Sequence, residues 1–329
     1  KLDTEIKPVI PSPESARYRN KAQYPVGGNG GSTEIGFYAP MSHRIIDCAD
    51  CRLQPTEFME IVNIFREWIS EYKIKPYDES SHSGMLRHIY LRKGFVSGEI
   101  MVCAVSTSRK LPHTDELCQR LTEEIPEIKS IILNINSDKT NVVLGKECIT
   151  LFGSGTITDE LCGLKFEISP LSFYQVNHDA AEILYAKAKE YANLSGNETL
   201  LDLYCGTGTI GLSMAKDAKE LIGVEIIQQA VDNAKRNAAA NGIGNARFIC
   251  ADASEAAEIL YNEGTKPDVV VLDPPRKGCD KELLKTVVDF KMKFYPRAWV
   301  KCPEAVPGTL KLIPPEYRFG ALAADYEAM

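Results

Sequence analysis

The chain has 329 residues, with 38 Lys plus Arg, 45 Asp plus Glu and a formal net charge of −7 at pH 7. At roughly 150 residues per domain this is the length of about two domains, and 44% apolar with 25% charged residues excludes a disordered or fibrous chain. No apolar run reaches the ~18–20 residues of a membrane span, the N-terminal KLDTEIKPVIPSPES lacks the apolar stretch of a secretory leader, and the acidic balance argues against a globally basic nucleic-acid binder.

Turn formers Pro11, Pro13 and Pro25 and the run from Gly27 to Ser32 make the first ~40 residues loop or hairpin connection. From Pro55 to Tyr72, Phe58, Ile61, Val62, Phe65 and Ile69 recur at three and four positions and predict an amphipathic helix. Leu86 to Lys93 and Glu99 to Ser106 have strand patterns, joined by a hairpin at Lys93-Gly94 and Ser97-Gly98. Thr114 to Glu124 reads as a helix, Lys129 to Asn136 as a strand, and Asn141 to Leu144 and Glu147 to Phe152 as shorter strands. Residues 1–165 therefore read as a small α+β domain.

After Ser172, strands and helices alternate. His178 to Asn193 is a helix; Leu200 to Tyr204 is a strand that ends in CGTGTIG and leads into a helix to about Ala218. Glu220 to Val224, Ala246 to Cys250 and Val269 to Leu272 are further strands, with a helix from Gln228 to Asn241. Alternating βαβ units predict a doubly wound, mostly parallel α/β sheet over residues 166–329. The ten cysteines (48, 51, 103, 118, 148, 162, 205, 250, 279, 302) follow no repeating spacing, which fits the reduced thiols of a cytoplasmic protein. The chain starts at Lys1 rather than Met, as a chain trimmed from a longer one does.

Gly206, Gly208 and Gly211 satisfy GxGxxG between a strand and a helix, where glycines allow a tight turn and let a ligand approach the backbone. Dinucleotide enzymes, nucleoside-cofactor enzymes and ordinary strand-to-helix turns all use this pattern. Asp202 inside the preceding strand needs hydrogen-bond donors if it is buried. Glu225 ends the next strand, placed for the two hydroxyls of a ribose, and Asp252 follows the third, placed for an adenine amine. At the end of the fourth stand Asp273, Pro274, Pro275 and Arg276. The rigid proline pair fixes backbone and side chain facing a cofactor's reactive end, an element that an NAD enzyme does not need.

Together LLDLYCGTGTIGL, VEIIQQAVDNAKRNAAANGI and VVVLDPPRKGCDKELL resemble the S-adenosylmethionine (AdoMet)-dependent RNA (uracil-5-)-methyltransferase family. SPLSFYQVN, with Phe173, Gln175 and Asn177, resembles its FxQxN segment, and Tyr18 to Pro55 the start of its central domain. The resemblance spans about residues 15–290 and implies a Rossmann-like class I methyltransferase domain after a smaller α+β domain. It puts AdoMet contacts at Gln175, Tyr204, Glu225 and Asp273, with Asp252 at the adenine and Gly206 and Gly208 in the loop. Gln175 and Asp273 would also stand beside the reacting base. It implies a Cys thiolate that adds to uracil C6, so that C5 can take the methyl group. The implied partner is RNA, with ribosomal RNA, 23S in particular, favoured over tRNA by the match at Cys51 in DCADCRLQP. Neither DNA nor a membrane is an expected partner.

The C-terminal region departs from the family. Two registers compete for the nucleophile segment SCNPxTLxRD. Aligning Pro307 to Leu310 puts Ala305 at the nucleophile, whereas distance and chemistry nominate Cys302. The family's general base lies in an HVE segment, and no His follows His178; Glu316 and Glu327 lack that context. Residues 291–329 read as a diverged or frame-disrupted tail, which leaves open a catalytically impaired module that binds AdoMet and RNA. Cys48 and Cys51 are half of a four-ligand site, so no metal is expected here; a [4Fe-4S] cluster with Cys51 as its fourth ligand is implied only for an untrimmed parent. Candidate RNA contacts are Arg17, Arg19 and Lys21; Arg87, His88, Arg92 and Lys93 with Tyr90 among them; and Arg276 with Lys277.

Overall fold

In the computed structural model, which describes residues 9–28, 33–275 and 278–290, the turn-rich N-terminal segment is built into a sheet. Its strands are β1 (Lys21–Gly27), β2 (Glu34–Tyr38) and β3 (Ile45–Asp47). Pro25 is tolerated inside β1 because β2 pairs only with Val26 and Gly27, so at Pro25 the strand has a neighbour on one side. Helix α1 (Thr56–Tyr72) buries Phe58, Ile61, Val62, Phe65 and Ile69, the expected stripe, together with Trp68. β4 (Leu86–Lys93), β5 (Ile100–Ser106), α2 (Thr114–Glu124), β6 (Ile128–Ile135) and β7 (Glu147–Gly153) complete a seven-stranded sheet of order β3-β2-β1-β4-β5-β6-β7. Ile100, Val102 and Ala104 of β5 pack with α1 and α2, while Met101, Cys103 and Val105 face the second half of the chain. Alternation thus buries both faces of one strand.

Residues 141–144 form no strand. Their backbone is held instead by side chains: Asn136 Nδ2 donates to the carbonyls of Val142 and Val143 at 2.7 and 3.0 Å. A hairpin, β8 (Ile157–Leu161) and β9 (Leu164–Ile168), follows. It turns through Cys162 and Gly163, both at positive φ, and Cys-Gly lacks the Asn or Asp that signals such a turn in sequence. The expected domain boundary at 165/166 falls within β9.

The second half contains α3 (His178–Ala192), β10 (Thr199–Leu203), α4 (Thr209–Ala215), β11 (Glu220–Glu225), α5 (Gln228–Ala240), β12 (Ala246–Cys250), α6 (Ala253–Asn262), β13 (Val269–Leu272) and α7 (Lys281–Asp289). β12-β11-β10-β13 form a parallel sheet, the doubly wound arrangement expected. Leu200, Leu221, Val269 and Val271 face the core with α3, α4 and α5, and Leu201, Leu203, Ile222, Val224, Val270 and Leu272 face α6 and α7. The strand order reverses between β10 and β13, so their carboxyl ends flank the crevice where α/β sheets bind ligands. No helix among the described residues is long and apolar enough to cross a membrane.

The sequence suggests an RNA-facing patch in β4, but its basic run is largely turned into internal bonds. Arg87, with its side chain 1% exposed, donates to the carbonyls of Asn136, Asp138 and Thr140 and pairs with Glu79 at 3.3 Å. Arg92 donates to the Ser172 carbonyl at 2.8 Å, and His88 and Tyr90 are buried. These side chains satisfy backbone carbonyls that burial would otherwise strip of water. Arg17 likewise holds Asp50 at 2.8 Å and the Cys51 carbonyl at 2.7 Å. Arg87→Leu is expected to destabilise the fold by ~3 kcal/mol in urea denaturation. Arg109→Leu, which removes an exposed pair with Glu147, is expected to cost under ~1 kcal/mol; equal losses would refute the stapling role.

Candidate active site

The loop after β10 takes its shape from three residues at positive φ, Tyr204 (70°), Gly206 (55°) and Gly208 (84°). Among the described residues a Cβ at Gly206 would meet nothing within 4 Å, so its backbone stands open to an approaching group. At Gly211 a Cβ would lie 2.8 Å from Asp202 Oδ2 and 2.9 Å from Leu221, so this glycine lets α4 settle on the sheet. Glu225 clamps the loop: Oε2 accepts from Gly206 N at 3.1 Å and Oε1 from Ile227 N at 2.9 Å.

Asp202 is 1% exposed; its Oδ2 accepts from Gly211 N at 2.9 Å, and among the described residues its Oδ1 has no partner. Burial above all, then the charges of Asp273 and Glu225, pushes its carboxyl up to about 7. Asp252, exposed, caps α6 by accepting from Ser254 N through Oδ1 at 2.8 Å. Tyr204 hydrogen-bonds Cys279, near Asp252 and Asp280. Glu225, Asp252 and Asp273 thus stand at or just past the carboxyl ends of β11, β12 and β13.

Sequence reasoning missed Tyr185. Buried on α3, its hydroxyl bonds Thr209 Oγ1 of the glycine loop at 3.0 Å and the Gln175 side chain, and it feels the charges of Asp273 and Asp202. Burial and those charges push the phenol above its ordinary range. One hydroxyl therefore joins the segment that carries Gln175 to the loop after β10. That segment, residues 169–177, straps the two halves together. Tyr174 points inward and donates to Asp159 Oδ2 at 3.1 Å, Phe173 is 59% exposed, and Asn20 Nδ2 donates to the Gln175 carbonyl at 3.0 Å. Asn177 caps α3 through Ala180 N. The only local hint of Tyr185 was a tyrosine inside a helical pattern, and nothing local says where its hydroxyl ends.

Cys205, buried beside this site, has its thiol pushed far up by burial, Asp202 and Glu225, which disfavours its thiolate. Cys302, Ala305, Arg276, Lys277 and the tail from 291 lie outside the described residues. Among the described residues the nine cysteines form no disulfide, and no three metal-ligating side chains converge. The Cys48 thiol is raised by burial and by Cys51, and two thiols are not the donor set of a four-iron cluster.

The Asp202 titration has a measurable sign. Its native value lies above the ordinary 3.8, so its contribution to stability is present below about pH 4 and is lost as pH rises to about 7. Asp202→Asn keeps an acceptor for Gly211 N without the titration. Its melting temperature minus that of the parent is expected to climb between pH 4 and 7 and then level off; a flat difference refutes the shift.

A family model described as a methyltransferase domain matches residues 194–294. An uncharacterized RNA methyltransferase of Clostridium tetani is 46% identical over 304 residues, 92% of this chain and 66% of that protein. One of Bacillus cereus is 40% identical over 312 residues, 94% of this chain and 67% of that protein. The chain thus spans about two thirds of the length of these curated relatives. Among solved structures, the tRNA (uracil-54, C5)-methyltransferase of Pyrococcus abyssi, in complex with S-adenosyl-L-homocysteine, superposes with a TM-score of 0.73 at 28% identity, over 87% of this chain and 67% of that one. The switch-point sheet is the class I methyltransferase fold, the open Gly206 backbone and orphaned Asp202 Oδ1 fit a donor nucleoside, and by its relatives this chain belongs to the RNA methyltransferases.

Proposed function

We propose that the protein transfers a methyl group from AdoMet to C5 of a uridine in RNA, ribosomal RNA in preference to tRNA, in the cytoplasm. The Tyr185 junction carries this reading, because it joins the Gln175 strap to the donor loop beside Asp273. Residues 1–165 then supply RNA contacts and residues 166–329 the donor site. The uracil-C5 activity of the Pyrococcus abyssi neighbour supports the target atom. The preference for ribosomal RNA rests on the resemblance around Cys51 alone.

AdoMet, when bound, supplies an electrophilic methyl group on a sulfonium. The Glu225 oxygens each already accept one backbone N–H and have a lone pair left for a ribose hydroxyl. Asp252 caps α6 with Oδ1, and its Oδ2 would accept from the adenine amine. Tyr204, Gly206 and Gly208 shape the backbone around the nucleoside, and Gln175 and Asp273 orient the base. C5 of a neutral uracil is a poor nucleophile. A cysteine thiolate that adds to C6 moves electron density onto C5, which takes the methyl group; a base then removes the C5 proton and the thiolate leaves. Cys302 is the nominated nucleophile; the Cys205 thiol, raised by burial and by Asp202 and Glu225, is disfavoured in that role.

With methyl-labelled AdoMet, the protein is expected to place label in 5-methyluridine, more in ribosomal RNA than in tRNA; a protein that binds AdoMet yet labels no uridine overturns the enzyme reading. With 5-fluorouracil RNA and AdoMet, a covalent adduct is expected that Cys302→Ala abolishes and Cys205→Ala preserves. An adduct surviving Cys302→Ala refutes that nucleophile. The altered sequence after Lys291 favours the competing reading, a module that binds both ligands without turnover; it forms no adduct at all. Tyr185→Phe retains the buried ring and loses one hydroxyl. It is expected to lower kcat/KM about 5- to 10-fold, the worth of a buried hydrogen bond, with the melting temperature within a few degrees of the parent. An unchanged kcat/KM would remove Tyr185 from the site.

A further inference from the structure

The register of β1 on β4 sets Lys21 opposite Arg92, on the face of the central sheet turned toward the second half of the chain. Arg19, two residues earlier, reaches the same neighbourhood and forms a bridge with Asn177 of the strap. Between them, Asn20 bonds the strap twice, through its N to the Val176 carbonyl at 2.9 Å and through Nδ2 to the Gln175 carbonyl at 3.0 Å. The cations therefore flank the backbone that carries Gln175.

The charge of Lys21 is not balanced in the way that others in this fold are. Arg66, Arg87, Lys93, Arg120 and Arg236 each meet a carboxylate, and Lys93, which lines a nearby cavity of about 220 Å³, holds Glu57 at 2.7 Å. Among the described residues the charged groups acting on Lys21 are Arg92 and Arg19, both cations. Burial first, then these two charges, pushes its ammonium down to about 8. Among the described residues the Lys21 ammonium meets no carboxylate. Arg92 is already oriented by the Ser172 carbonyl at 2.8 Å and by the Tyr90 ring, 5.7 Å from its guanidinium. A half-buried ammonium facing two like charges costs stability in the free protein, and a bound anion would offset that cost.

We propose that Lys21, in the field of Arg92 and Arg19, seats a phosphate of the RNA backbone beside the nucleotide that enters at Gln175. This rests on the RNA reading above. A backbone phosphate suits the place because the donor edge of the second sheet is lined with Glu225, Asp252 and Asp273, whereas the strap edge is cationic. In a chain of net charge −7, a local cationic seat steers a polyanion to one side of the cleft.

The salt dependence of binding to a short single-stranded, uridine-containing RNA tests the seat. One phosphate contact contributes about 0.7 to the slope of log K against log[salt] for single strands. Lys21→Gln is expected to shrink the slope by about 0.7 and weaken binding about 5-fold at 0.1 M salt. AdoMet affinity should be unchanged, and the melting temperature equal to or above that of the parent. Lys21→Arg should keep the parental slope, and Lys235→Gln, an exposed control on α5, should leave it unaltered. A parental slope in Lys21→Gln overturns the seat alone. A melting temperature that falls in Lys21→Gln with no loss of slope assigns the residue a structural role instead. A parent protein that binds no RNA overturns the reading of function, and the seat with it.

Discussion

One apolar core runs from the second face of the central sheet to the helices on the parallel sheet, and the position of Gln175 against the donor loop depends on it. Tyr90, Met101, Cys103, Val105 and Ile132 contribute from the central side, and Ile157, Phe166, Leu200, Leu212, Val231 and Val271 from the hairpin and the second half. A close-packed interior transmits position because its side chains have few alternative arrangements. Two units joined only by a linker would be free to hinge; here the linking hairpin and strap are themselves core. Tyr185 belongs to that core, which is why a hydroxyl at its edge can hold elements from two parts of the chain in register.

Polar groups inside this core follow two different rules. Asp159, 2% exposed, accepts from Val96 N at 2.9 Å and from Tyr174 Oη at 3.1 Å, so burial costs it little and the strap gains an anchor. Ser172 is tied in the same way, its Oγ accepting from Asn233 Nδ2 at 3.0 Å. Asp202 breaks the pattern, with one oxygen satisfied and one orphaned. A half-satisfied buried carboxylate is strained toward its neutral form. Such departures concentrate where a structure keeps polar capacity for a ligand, and Asp202 stands directly beneath the glycine loop.

Charge is distributed with the same economy. Most basic side chains in the N-terminal half close internal bonds: Arg66 to the Thr33 and Ile35 carbonyls, Arg87 to a loop of carbonyls, Arg17 to the Cys51 and Gln54 carbonyls. Lys21 is arranged differently, among cations. A run of basic letters therefore says little about a surface until each cation is matched with the carbonyl or carboxylate it faces.

Much of the architecture was legible from local pattern. The Phe58–Ile69 stripe, the alternation from Leu86 to Ser106, the βα succession after Leu200 and the glycine run from Gly206 are short-range regularities, and each element formed where its period predicted. The row Asp202, Glu225, Asp252 and Asp273 could be read because strand ends are local features and parallel strands bring them to one edge. The hairpin at Cys162-Gly163 was not legible, since its turn lacks the usual residues, and β1–β3 were hidden by prolines and glycines that sit where pairing is one-sided. The burial of Arg87 and Arg92, the tie between Asn20 and Gln175, and the meeting of Tyr185 with Thr209 join residues 24 to 155 positions apart. The sequence by itself determined the elements, their order and the chemistry at strand ends, because propensity and periodicity act over a few residues. Only the tertiary structure decided which hydroxyl, amide or cation meets which distant partner, because those choices are made by the packing of one core across the whole chain.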